Sequence, residues 1–142
     1  MKNNVDVVVI GGGPSGLICA ATASKKGKNV LLIDKNKLLA RKLRITGKGR
    51  CNLTNSADIS DFIPMVCSNP NFMYSAFYTF TNDDLIKLFE SMGVKLKEER
   101  GGRIFPCSDS AKEVADALVS YAKDCGVSFC HDTVSKVCVD NG

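Results

Sequence analysis

Four residues near the N-terminus have the types and spacing to do chemistry: Gly11, Gly13 and Gly16, in the pattern G-x-G-x-x-G, and Asp34, which follows 18 residues after the last glycine. Each suits one part of a dinucleotide. A glycine at 11 permits a tight turn, one at 13 lets backbone approach a pyrophosphate, and one at 16 lets a helix pack close to the preceding strand. A carboxylate about 20 residues further on, at the end of a second strand, can hold the hydroxyls of a ribose. Ser15 lies inside the phosphate turn, and Pro14 suits the first position of a helix, where its missing N–H would have had no partner.

These residues can act together only if the chain between them folds as strand, turn, helix and strand, and its pattern does read that way. Val5 to Ile10 is an apolar, β-branched run; Leu17, Ala20 and Ala21 share one helical face; Gly27 suits the helix stop; and Asn29 to Ile33 is a second apolar run that ends on Asp34. The helix then presents its unpaired N–H groups and the positive end of its dipole to the phosphates. The reading is a bound adenine dinucleotide, set against a purely structural βαβ unit whose turn happens to be glycine-rich.

The formal charge of +4 conceals an asymmetry. Residues 35–50 contain Lys35, Lys37, Arg41, Lys42, Arg44, Lys48 and Arg50 and no acidic residue, which leaves 12 of the 19 basic residues against 15 acidic ones elsewhere. Lying directly after the ribose position, Lys35, Arg41 and Lys42 are candidates to face the adenosine side or the phosphates. The pattern predicts a short basic helix over 38–45, ended by Thr46-Gly47-Lys48-Gly49, and then a loop, Arg50 to Asn55, dense in hydrogen-bonding groups.

That stretch also carries a resemblance. Arg41-Lys42-Leu43-Arg44-Ile45-Thr46-Gly47-Lys48-Gly49-Arg50-Cys51-Asn52-Leu53-Thr54-Asn55 resembles the R-K-x-x-x-[ST]-G-x-G-R-C-N-x-T-N signature of the BaiN/YhiN-like FAD-dependent oxidoreductases, also described as NAD(P)/FAD-dependent or aminoacetone-oxidase-like. Gly102-Arg103-Ile104-Phe105-Pro106-Cys107-Ser108 resembles a second motif of that family, and Asp34 stands where many relatives carry Glu. The resemblance implies FAD as the cofactor, with NAD(P)H or dioxygen as the electron partner. It implies that Thr46, Gly47, Gly49, Arg50, Cys51 and Asn52 run beside the ribityl chain and flavin ring, and that Val134 touches adenine through backbone groups. The flavin would carry the redox chemistry. No side chain is named as catalytic.

Composition narrows the remaining classes. Hydrophobic content of 44% in 142 residues is that of one globular domain, and the apolar runs are too short and interrupted to be transmembrane spans or a signal peptide, so a cytoplasmic protein is expected. Seven cysteines without a C-x-x-C pair, and a single histidine, His131, do not suggest a zinc site or a disulfide framework. Cys19, Cys125, Cys130 and Cys138 read as small buried residues. The expected partner is a small-molecule substrate, with no nucleic acid and no membrane; nothing in the sequence indicates oligomeric state.

Elsewhere the sequence reads as scaffold. Phe72, Tyr74, Phe77, Tyr78 and Phe80 read as core aromatics. Asn82 reads as the N-cap of a helix with apolar residues Leu85, Leu88, Phe89 and Met92, and Ser110 as forming a capping box with Glu113. Val127–Cys130 and Val134–Val139 read as strands, the latter beginning an antiparallel crossover sheet, and Asn141-Gly142 is a hairpin signal with no returning strand. The expected fold is therefore α/β, a Rossmann-type FAD-binding domain of glutathione-reductase-like, three-layer β/β/α character, with residues 1–142 its incomplete N-terminal part. Two other classes fit parts of the pattern: a plain NAD(P)-binding Rossmann module, and a non-catalytic module that uses the basic stretch on nucleic acid. A yellow protein would exclude the first, and weak salt dependence of association the second.

Overall fold

The structure, a computed structural model, describes residues 5–139. In chain order its elements are β1 (Val7–Ile10), α1 (Pro14–Lys25), β2 (Val30–Asp34), a 3₁₀ segment (Leu43–Gly49), β3 (Thr54–Asn55), α2 (Ile59–Phe62), a 3₁₀ turn (Ile63–Met65), α3 (Pro70–Thr79), α4 (Asn82–Ser91), β4 (Leu96–Glu99), β5 (Arg103–Pro106), α5 (Ala111–Asp124) and β6 (Ser128–His131). The chain divides into two units, residues 1–44 with 118–142, and residues 45–117.

The first unit is built on a parallel sheet in the order β1-β2-β6, with Val7 opposite Val30, Ile10 opposite Ile33, and Asp34 opposite His131. Hydrophobic burial organises it: Leu17, Ala20 and Ala21 of α1 are fully buried, as are Leu32 of β2 and Leu118 and Ala122 of α5 to within 1%. Small residues on α1 allow close packing, and its end is tied by the Ser24 hydroxyl donating to Cys125 O and by Lys25 Nζ lying 5.1 Å from the Tyr121 ring centroid. Gly27, at φ +77°, ends the helix as its position suggests.

The second unit carries an antiparallel sheet in the order β3-β5-β4, and sequence reading missed this sheet. Its hairpin turns at Arg100-Gly101-Gly102 with both glycines at positive φ, and a Cβ on Gly102 would lie 2.6 Å from Asn55 Oδ1. The strands are short and β4 is mostly charged, so period-2 alternation gives little signal there. Phe89, Val94, Ile104, Phe105, Val114, Ala115 and Cys51 are among the buried residues of this unit.

Several local expectations need correction. Residues 38–45 form turns and the start of the 3₁₀ segment instead of a basic helix, because Ala40 takes φ +53° and its N–H donates to Gly12 O. Residues 132–139 form no strand, since no ladder reaches them, and the Asn141-Gly142 signal lies outside the described residues. The cap of α4 is Thr81, which exchanges hydrogen bonds with Asp84 and so satisfies two backbone donors reciprocally. Asn82 is buried instead and donates to the carbonyls of Asn55 and Ala57. Glu113 accepts from the Ser108 hydroxyl. Of the cysteines read as buried, Cys19 and Cys138 are exposed and Cys125 and Cys130 half-buried.

The aromatic run departs furthest from expectation. Helix α3 buries none of its residues, and Phe72 is 79% exposed, because α3 packs mainly on the neighbouring 3₁₀ turn. The rings meet each other instead: Phe62 lies edge-on to Phe77 at 6.0 Å, and Tyr74 lies 4.7 Å from Tyr78. Among the described residues no helix is long and apolar enough to cross a membrane.

Candidate functional site

The turn between β1 and α1 has the geometry a phosphate cradle requires. Gly11 sits at φ +106°, a conformation that side chains strongly disfavour, and its N–H donates to Ile33 O at 2.8 Å. A Cβ on Gly16 would stand 2.0 Å from Gly11 O, so only glycine lets the helix start this close to the turn. At Gly13 the situation is opposite: no atom lies within 4 Å of where a Cβ would be. The backbone there faces open space at the head of α1, whose first turn holds Pro14, no acidic residue and no side-chain cap. Unpaired N–H groups facing open space fit a pyrophosphate. Ser15 is exposed in the same turn.

Asp34, at the end of β2, is held by this turn. Its Oδ2 accepts the Gly12 N–H at 2.6 Å, and its Oδ1 accepts the Asn36 N–H at 2.6 Å and the Asn36 amide at 3.0 Å. Burial raises its pKa, but the hydrogen bonds from Asn36 and Gly12, with the charge of Lys35, outweigh that and leave the carboxyl below its ordinary 3.8. It is therefore ionised at neutral pH and oriented, as a ribose acceptor should be. Beside it lies a cavity of about 330 Å³ lined by Ile10, Gly11, Ile33, Asp34, Lys35, Asn36, Asp132, Thr133 and Val134.

That cavity unites Gly11, Asp34, Lys35 and Val134 from the sequence reading and adds Asn36, Asp132 and Thr133, which that reading missed. A signal for them existed. They follow directly after β2 and β6, and in a parallel sheet ligands gather beyond the carboxyl ends of strands. The Asp132 N–H donates to Asp34 O, and His131 Nε2 lies 2.9 Å from Lys35 O, which ties the two strand ends together. Arg41 and Lys42 are exposed next to Ala40, whose N–H bonds Gly12 O at 2.8 Å, so both sit close in the chain to the glycine turn.

Thr46, Gly47, Gly49, Arg50, Cys51 and Asn52 belong to the second unit. They form a tight loop in which Gly47, Lys48, Gly49 and Cys51 all have positive φ, closed by Arg50 N–H to Gly47 O and Cys51 N–H to Thr46 O, both 3.1 Å. A Cβ on Gly47 would meet Asn52 N at 2.9 Å, whereas one on Gly49 would meet nothing within 4 Å. Thr46 and Asn52 are exposed, while Cys51 is buried, and burial pushes its thiol pKa up despite a hydrogen bond with Thr46. The Arg50 guanidinium stands 4.3 Å over the Phe105 ring and pairs with Glu99 and Asp109.

The profile of the HI0933-like protein Rossmann domain matches residues 5–141. A ribosomal RNA dihydrouridine synthase of Escherichia coli (strain K12) is 38% identical over 124 residues, covering 87% of this chain and 30% of that protein. A 3-dehydro-bile acid delta(4,6)-reductase of Clostridium scindens is 34% identical over 113 residues, covering 78% and 27%. The chain thus spans under a third of the length of these relatives. Among solved structures, the open conformation of a flavocytochrome c3 fumarate reductase superposes with a TM-score of 0.54 at 21% identity, over 90% of this chain and 26% of that one; at this identity the likeness is one of fold.

Proposed function

From the premise that the chain belongs to the HI0933-like family of Rossmann-domain proteins, we propose that it is the FAD-binding portion of a cytoplasmic flavin-dependent oxidoreductase that saturates a conjugated carbon–carbon double bond in a small molecule. The activities named for two relatives, a ribosomal RNA dihydrouridine synthase and a 3-dehydro-bile acid delta(4,6)-reductase, share the reduction of a carbon–carbon double bond, in RNA for the first and in a small molecule for the second. NAD(P)H is the proposed donor, so that a hydride and a proton add across the double bond; dioxygen is the proposed alternative acceptor. FAD, when bound, would supply the two-electron chemistry.

The chain's own residues bind and orient. Gly13, Ser15 and Gly16 present backbone N–H groups to the pyrophosphate across the turn that Gly11 shapes, with Arg41 and Lys42 adding positive charge. Asp34 accepts from the ribose hydroxyls, and Lys35 and Val134 border the adenine. Thr46, Gly47, Gly49, Cys51 and Asn52 serve the flavin end. The observation that carries the reading is the open Gly13 backbone at the uncapped head of α1. Titrating the apo form of the full-length protein with FAD, and following the visible flavin bands, tests it; an apoprotein that binds NAD(P)H but not FAD would favour the plain NAD(P) module.

A second reading has an observation of its own. The basic stretch 35–50, together with the ribosomal RNA named for one relative, suits a uracil within RNA as the substrate. Oxidation of NAD(P)H that is driven by RNA, and falls steeply with salt, would select it over a small conjugated alkene.

A further inference from the structure

The Thr46–Asn52 loop is held in a costly conformation. Lys48 at φ +56° and Cys51 at φ +61° are left-handed without being glycine, a state that persists only where surrounding structure enforces it. Backbone bonds close the loop on itself, and one residue beyond it the Leu53 N–H donates to Ile104 O of β5. Arg50 adds a side-chain tie from within the loop. Its Nε and Nη2 reach Asp109 Oδ1 at 2.9 and 2.6 Å, Nη2 also pairs with Glu99 of β4, and its plane covers Phe105 of β5. Both carboxylates are shared with Lys97, whose Nζ is 2.8 Å from Asp109 Oδ2. Two cations and two carboxylates therefore balance, and the positive charge of Arg50 is already matched within its own unit. Such a guanidinium is poorly suited to pair with a further anion, whereas its fork geometry is well suited to fix a backbone.

We infer that Arg50 is a positioning residue: through Glu99, Asp109 and Phe105 it pins the Thr46–Asn52 loop to the β4–β5 hairpin in the left-handed conformation that the cofactor meets. The inference rests on the FAD reading only for what the loop serves; the pin itself is a property of this unit. Carboxyl groups held low by the two cations agree with it: Glu99 chiefly by its hydrogen bond from Arg50, Asp109 by those from Lys97 and Arg50. Cys51 supplies a built-in reporter, since its side chain is 1% exposed next to the pinned residue, while Cys19, Cys67 and Cys107 are exposed and serve as internal controls.

The test compares, in the full-length protein, Arg50→Gln, the double variant Glu99→Gln with Asp109→Asn, and Arg50→Lys, which keeps the charge without the fork. Alkylation of Cys51 by iodoacetamide is mapped by peptide mass spectrometry in the apo state, and FAD affinity and flavin band positions are measured separately. The expected result is that Arg50→Gln and the carboxylate double variant both speed Cys51 alkylation roughly tenfold or more, as local opening would. Both should also weaken FAD by similar factors and shift the same flavin band, with Arg50→Lys intermediate. Cys51 protection unchanged in Arg50→Gln would overturn the inference. So would a double variant with parental FAD affinity beside an Arg50→Gln variant that has lost it, since Arg50 would then contact the cofactor directly. If parent and variants alike ignore FAD, the flavin reading fails while the alkylation rates still decide the pin.

Discussion

The glycine turn at residues 11–16 and the loop at residues 46–52 are both compact, glycine-containing bends, yet they are held in opposite ways. The first is fixed chiefly by backbone: Gly11 bonds to β2, Gly16 abuts Gly11 O, and the Asp34 carboxylate accepts the backbone N–H of Gly12. The second is closed by two backbone bonds of its own and held through Arg50 by side chains that arrive from 49 and 59 residues further along the chain. A bend of the first kind can be read from local spacing. The second kind shows its residues locally and its cause only in three dimensions.

The largest expected effects lie within the first bend and separate fold from ligand. Gly16→Val places branched carbon where even a Cβ would stand 2.0 Å from Gly11 O, so the helix must back away from the strand. We expect a loss of at least about 3 kcal/mol of stability, read from chemical unfolding. Gly13→Val meets no protein atom within 4 Å of the Cβ. It should leave the unfolding midpoint near that of the parent and abolish FAD retention, because the added side chain occupies the space of the pyrophosphate. Near-normal flavin stoichiometry in Gly13→Val would remove the turn from the site, and a parental midpoint in Gly16→Val would show that the close approach is dispensable.

Asp34 gives a smaller effect with a pH signature. Asp34→Ala should weaken FAD by about 1–3 kcal/mol, the order for charge-assisted hydrogen bonds to a ribose, with the flavin spectrum unchanged. Its folded-state pKa lies below the ordinary 3.8, so the carboxylate contributes stability that is complete above that value and lost as pH falls through the depressed one. An acid titration of the apoprotein should therefore show parent and Asp34→Ala converging only below about pH 4. Curves that stay parallel to lower pH would mean that the Gly12 and Asn36 bonds do not favour the ionised form.

How much was legible follows the same division. The βαβ unit, the glycine turn and Asp34 are local patterns, and the structure has them where spacing puts them. Cavity residues Asn36, Asp132 and Thr133 follow from topology, since β6 joins β2 from far along the chain, Ser128 lying opposite Leu31. The β4–β5 hairpin, with Glu99 as one partner of Arg50, includes a charged, four-residue strand, where burial leaves no period to read. The exposed aromatics of α3 misled for a different reason: hydrophobicity reports what a surface would gain from a partner, and says nothing of whether one is packed against it.

The smallest expected effect tests the second bend from its least constrained member. Lys48 is exposed at φ +56°, and a non-glycine residue there costs about 1–2 kcal/mol relative to the right-handed region. Lys48→Gly removes that cost but adds unfolded-state entropy of roughly 0.5–1 kcal/mol. The two nearly offset, so the variant should match the parent within about 1 kcal/mol, on the stabilising side, in thermal unfolding. Its Cys51 should stay as protected as in the parent, because the tie through Arg50 is untouched. A clear loss of stability, or a Cys51 that becomes reactive, would mean that the Lys48 side chain also holds the loop. The contrast between a backbone-built bend and one pinned by a single guanidinium would then have to be redrawn with two pins.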